Sequence, residues 1–226
     1  MSRRPSLKGT LISASLAISL LLPLFAFLTR TAPTFAAIPH PPSRLVRTPG
    51  KAEMPAWKVG YQWEYDWKRS GSSGTYTKEI IREDTLGGVP TFVAKTLRTE
   101  EFYTKDTLGL LATVSKGKPV STQRPPFQFF VWPLEVGRQW TTAPEGDSLE
   151  DESSSELMIV MRVAEFEEVS VPAGTFEAFR VEMHEAYSGA LVMEYWYSPK
   201  VKWMVKAKQH WPNTVYEQEL RSFKVD

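Results

Sequence analysis

The chain has 226 residues, 42% hydrophobic and 12% aromatic, with 27 Lys and Arg against 26 Asp and Glu, and no cysteine. Without cysteine there are no disulfides and no lipid anchor of the kind attached to a cysteine, so a hydrophobic core must hold the fold. The near-even charge argues against nucleic acid as a partner, which calls for a concentrated basic surface.

The first 37 residues read as a signal peptide. Arg3, Arg4 and Lys8 form a positive start, Leu11 to Leu28 is apolar and uncharged, and Thr34-Phe35-Ala36-Ala37 supplies small residues for cleavage. The apolar run approaches the ~20 residues of a membrane span, so an uncleaved anchor is the alternative. In either case the leader is the only expected contact with a membrane. Beyond Ala37 there are 23 basic and 26 acidic residues, a balance of −3. Residues 38–56 carry Pro39, Pro41, Pro42, Pro49 and Pro55 without helical or strand period, the pattern of an extended linker. The rest, 57–226, is long enough to bury roughly 70% of its unfolded surface as one domain.

Val59 to Lys68 gives the cleanest strand signal. Val59, Tyr61, Trp63, Tyr65 and Trp67 fall on one face, with Gly60, Gln62, Glu64, Asp66 and Lys68 on the other. Each aromatic ring removes ~150–250 Å² from water, roughly 4–6 kcal/mol as an upper bound, so that face must be covered. Ser70 to Gly74 reads as a turn, Thr75 to Glu83 as a strand, Leu86-Gly87-Gly88 as a turn and Val89 to Thr99 as a strand. Phe102 to Lys105 and Leu108 to Ser115 follow, then a turn at Lys116-Gly117-Lys118. Gln123 to Pro126 reads as a break, and Phe127 to Trp132 is short and aromatic.

The second half repeats the order of the first. Val136-Gly137-Arg138-Gln139-Trp140 echoes Val59-Gly60-Tyr61-Gln62-Trp63, and Val171-Pro172 with Thr175-Phe176 echoes Val89-Pro90 with Thr91-Phe92. Glu145 to Glu156 is acidic and Ser-rich and reads as an exposed loop. Leu157 to Val171 is a long strand. Pro172-Ala173-Gly174 then turns the chain into Thr175 to Met183, a hairpin. Ala190 to Ser198, Lys202 to Trp211 and Thr214 to Val225 are three further strands, separated by Ser198-Pro199-Lys200 and Pro212-Asn213. No window longer than ten residues favours a capped amphipathic helix. The pattern predicts an all-β domain: a single strongly curved antiparallel sheet, half-barrel or barrel-like, built from two successive meanders.

The Val-Gly-x-x-Trp pattern, the run Val171-Pro-Ala-Gly-Thr-Phe-Glu-Ala-Phe-Arg-Val181, and Tyr195-Trp196-Tyr197-Ser198-Pro199-Lys200 before a basic strand resemble a bacterial secreted family, domain of unknown function 3108 and its relatives. The likeness covers about Trp57 to Val225. It implies a strongly curved antiparallel sheet similar to periplasmic lipoprotein carriers. It brings no established reaction and no catalytic residues.

No reaction can be read from the residues. His40, His184 and His210 lack ligand-like spacing, and there is no nucleophile elbow, zinc-protease motif or phosphate-binding glycine loop, so neither metal nor cofactor is expected. Glu64 and Asp66 are the nearest carboxylate pair, and a solvated strand face suits them better than acid/base work. The carboxylates of Glu145, Asp147, Glu150, Asp151 and Glu152 lack the order of a calcium loop. The aromatic residues are the candidate ligand-binding set: Trp63, Tyr65, Trp67, Trp196, Trp203 and Trp211, lining an apolar cavity or, as the plainer reading, filling a core. The expected function is an exported cell-envelope protein, a non-catalytic binding or scaffolding module for an apolar small molecule or an envelope protein. The rival is a hydrolase of an envelope polymer acting through paired carboxylates.

Overall fold

The computed structural model describes residues 50–142, 145–148, 153–156, 158–211 and 214–226. The leader and most of the linker lie outside these residues. Fourteen strands form one antiparallel sheet, and the described residues contain no helix.

The first meander runs β1 (Gln62–Arg69), β2 (Ser72–Leu86), β3 (Val89–Thr96), β4 (Thr99–Thr104), β5 (Leu110–Ser115) and β6 (Lys118–Phe127), each strand paired with the next. The second contains β10 (Ile159–Val171), β11 (Gly174–Glu185), β12 (Leu191–Ser198), β13 (Trp203–Trp211) and β14 (Thr214–Lys224), again in order. β14 pairs with β1, so the first and last strands lie side by side inside the sheet.

The remaining strands, β7 (Gln139–Thr142), β8 (Glu145–Ser148) and β9 (Ser153–Glu156), close the sheet on itself. Their register is continuous with that of β10. Gln139 pairs with Arg162, Thr142 with Ile159, Glu145 with Glu156 and Ser148 with Ser153, each step forward on one strand matched by a step back on the other. β7 and β8 are therefore two parts of one strand, and β9 and β10 two parts of its hairpin partner. Along this hairpin β7 pairs with β10, while β8 pairs on its far side with β6. Counted this way the sheet has twelve strands and is nearly closed into a barrel, as the two meanders predict.

The internal repeat is visible in the hydrogen bonds. Gly60 N–H bonds to the Ile80 carbonyl and Ile80 N–H to that of Tyr61; Gly137 N–H bonds to Val163 and Val163 N–H to Arg138 in the same pattern. Gly60 and Gly137 have φ of +93° and +89°, which a side chain would strain. A register shift follows in both halves, between Ile80 and Arg82 and between Val163 and Glu165.

The structure corrects several sequence expectations. Val59 is 53% exposed, so the buried aromatic alternation begins at Tyr61. The turn after β1 is only Ser70-Gly71, and Val89 to Thr99 ends at Thr96, where a tight turn starts β4. The break at Gln123 to Pro126 lies within β6. Its prolines fall where the β5–β6 register jumps from Ala112↔Thr122 to Leu110↔Phe127, so the missing N–H groups interrupt no ladder. The acidic stretch holds the β8–β9 hairpin, because it continues a register already set by β7 and β10. Ala52, in the segment read as linker, is buried and pairs with Leu134.

Candidate functional site

A barrel's diameter grows with strand number, and about eight strands give an interior that inward side chains can fill. Twelve leave extra room. In the half of the barrel away from the Ser70-Gly71, Leu97-Arg98 and Lys116-Gly117 turns, here called the lower half, segments outside the strands fill it. Trp57 packs on Trp63, Phe92, Tyr103 and Trp203 with ring centroids 5.0–6.0 Å apart. Phe127, Phe129 and Phe130 come in from the chain leaving β6, and Phe130 lies 5.4 Å from Tyr195, 5.0 Å from Tyr197 and 5.6 Å from Trp203. Ring N–H groups pin these segments to carbonyls: Trp63 to Val201 at 2.9 Å, Trp57 to Lys202 at 3.2 Å, Trp132 to Thr107 at 3.1 Å and Trp140 to Gln128 at 3.0 Å.

The predicted aromatic set divides. Trp63, Tyr65 and Trp203 are buried together on the inner face, with Tyr65 Oη donating to the Met204 carbonyl at 2.7 Å. Trp67 continues that face, is half-buried, and stacks on Tyr216 at 6.1 Å. Gly74 is required beneath it, since a Cβ there would come within 3.0 Å of the indole. Trp196 is not with them. Its cross-strand neighbours are Arg180 and Lys206, and its ring N–H donates to Glu167 at 2.7 Å, which places it on the outer face. Trp211 ends β13 opposite Thr214, and its side chain lies outside the described residues.

Two rows of charge cross that outer face. One runs Arg162, Glu182, Glu194, Lys208, Glu217 and Lys68, and the other Glu165, Arg180, Trp196, Lys206, Glu219 and Asp66, each residue opposite the next on adjacent strands. Glu182 and Glu194 are like-charged neighbours. Arg180 contacts both, His184 Nε2 lies 3.3 Å from Glu182, and His210 Nε2 lies 3.7 Å from Glu194. The two histidines that sequence leaves unrelated thus flank one carboxylate pair. Among the described residues no three such groups are gathered closely enough to hold a metal ion. Glu64 accepts from Ser222 at 2.9 Å, and Asp66 pairs with Arg221 at 2.9 Å, as a solvated strand face would.

Sequence reading misses the polar group inside the barrel. Lys78 is opposite Trp63 and so faces inward. Its ammonium contacts Glu101, donates to Tyr103 Oη at 2.7 Å, and lies 4.5 and 4.8 Å from the ring centroids of Tyr103 and Trp203. Tyr103 Oη donates in turn to Glu101 at 2.7 Å. Burial pushes the Lys78 pKa down against the pull of Glu101. Burial, reinforced by the Glu101 charge, pushes the Tyr103 phenol well up. The alternation of β2 and β4 hints at the two charges facing inward, but 23 residues separate them in the chain.

Six tyrosines, Tyr65, Tyr76, Tyr103, Tyr195, Tyr197 and Tyr216, have pKa values raised chiefly by burial. Above pH ~10 the unfolded chain loses phenolic protons that the folded chain keeps. The unfolded state then binds fewer protons, so stability falls as pH rises, by up to about 1.4 kcal/mol per pH unit for each such tyrosine. Urea midpoints between pH 9 and 11 should drop steeply, with phenolate absorbance at 295 nm appearing only on unfolding. Titration of these phenols in the folded protein would contradict this.

No family model matches the chain, and no curated protein matches it. Solved structures give distant likenesses. A candidate lipoprotein from Parabacteroides distasonis is 12% identical, covering 78% of this chain and 100% of its own, with a TM-score of 0.38. A candidate exported protein with a YmcC-like fold from Bacteroides fragilis is 14% identical, covering 77% and 100%, with a TM-score of 0.39. The hypothetical lipoprotein YmcC from Escherichia coli is 8% identical, covering 72% and 84%, with a TM-score of 0.37.

Proposed function

We propose that this is an exported cell-envelope protein whose barrel is a non-catalytic binding module for a lipid or other apolar molecule. The observation that supports the binding reading is the inner face of a nearly closed twelve-strand barrel. It carries Tyr61, Trp63, Tyr65 and Trp203 and is sealed at one end by segments that are not strands. Interiors of this size in barrels hold ligands or plugs. Export rests on the charged, apolar and small-residue order of the leader.

Two measurements test it. Replacing Ala36 and Ala37 with glutamate should block processing, leaving full-length protein; wild-type protein recovered from the exported fraction at full length would replace cleavage with anchoring. Native mass spectrometry of protein taken from its own host should show added mass that organic solvent removes. A bare-chain mass from a gently prepared sample would sink the binding reading.

A further inference from the structure

The upper half of the barrel differs from the plugged half. Met161, Met183 and Met193 stand opposite one another on β10, β11 and β12, and Trp140 and Gln209 extend the same row on either side. Met161 and Met183 are two residues before Val163 and two after Val181, the buried pair of the next row, so the methionines face inward. The plug contacts Tyr195, Tyr197, Tyr103 and Trp203, and it reaches the row itself only at Trp140, through the Gln128 carbonyl. Elsewhere on the inner face, β4 to β6 carry polar residues. Glu101 is opposite Thr113, and Thr113 opposite Ser121. Two residues beyond Ser121, and so on the same face, Gln123 has a buried side-chain oxygen with no hydrogen-bond partner. The paired Lys78 and Glu101 form the floor.

We infer that the upper half of the barrel is a binding site for a small uncharged amphiphile. Its apolar body lies on the methionine row, and a hydroxyl or amide at its other end donates to Gln123 Oε1. This site rests on the binding function proposed above and locates it. An uncharged ligand fits because the floor already pairs its one cation with its one carboxylate. Methionine fits because its unbranched, polarisable side chain repacks around different shapes. All three methionines are buried, so the site opens by their repacking and is not a standing hole. An unpartnered buried acceptor is costly to leave unmet, which favours a ligand that donates to it.

The test uses the whole protein labelled at the methionine methyl carbons, seven positions in the sequence. The probe is N-phenyl-1-naphthylamine, an apolar body with a single N–H. Its fluorescence should rise saturably, and the methyl signals of Met161, Met183 and Met193 should shift with the same midpoint while those of Met54 and Met204 stay fixed. Gln123→Leu should weaken the probe about tenfold. Saturable fluorescence without shifts at the three methionines would overturn the site and leave the binding function standing. No saturable fluorescence would overturn both. Unchanged affinity in Gln123→Leu would overturn the assignment of the polar end.

Discussion

Trp63→Ala should lower the unfolding free energy by about 3–5 kcal/mol, measured by urea denaturation. The indole is fully buried, its N–H is held by the Val201 carbonyl, and its ring touches Trp57, Tyr61 and Trp203. Truncation removes transfer free energy, opens a cavity and leaves that carbonyl without its donor. A domain has ~5–15 kcal/mol to lose, so the variant should be poorly folded at 37 °C. Val59→Ala, on the same sequence stripe but exposed, should change stability by less than about 0.5 kcal/mol. A midpoint shift of under about 1 kcal/mol for Trp63→Ala would mean that the lower half is not a packed core.

Glu101→Ala should cost about as much, ~3–5 kcal/mol at neutral pH, because it leaves the Lys78 ammonium buried without its counter-ion. The double variant Lys78→Met with Glu101→Leu should recover most of this, since replacing a buried pair with apolar groups of similar volume is often neutral. The sign of the pH dependence follows from the lowered pKa of Lys78. Between that value and ~10.4 the unfolded chain binds a proton that the folded chain does not, so stability rises with pH in this window. Loss of Glu101 widens the window, and the deficit of Glu101→Ala should therefore shrink from pH 7 to pH 9.5. A deficit independent of pH, or a double variant as unstable as the single one, would show that Lys78 is not held as a buried cation.

Strict alternation in β1 and the echo between residues 59–63 and 136–140 are enough to give an all-β sheet of two meanders. Backbone geometry repeats faithfully in the two halves, and glycine, proline and tryptophan record it in sequence. The placement of Trp196 is harder to read. Its neighbours Tyr195 and Tyr197 are just as apolar, and a register shift follows it between Trp196 and Tyr197, so only its partners Arg180 and Lys206 reveal the outer face. The β8–β9 hairpin is hidden for a different reason: its Ser-rich, acidic residues have no strand preference of their own and take their register from strands on either side. The methionine row and the Lys78–Glu101–Tyr103 group exist only once distant strands are aligned.

The pairing of β1 with β14 has a consequence for how the protein is made. Trp63 meets Phe223 across that ladder, and Gln62 meets Lys224. Nothing synthesised earlier can stand in for β14, so the centre of the sheet stays incomplete until β14 has left the ribosome. Contacts this remote in sequence also form slowly. A newborn chain therefore spends most of its synthesis without the contacts that define its stable state.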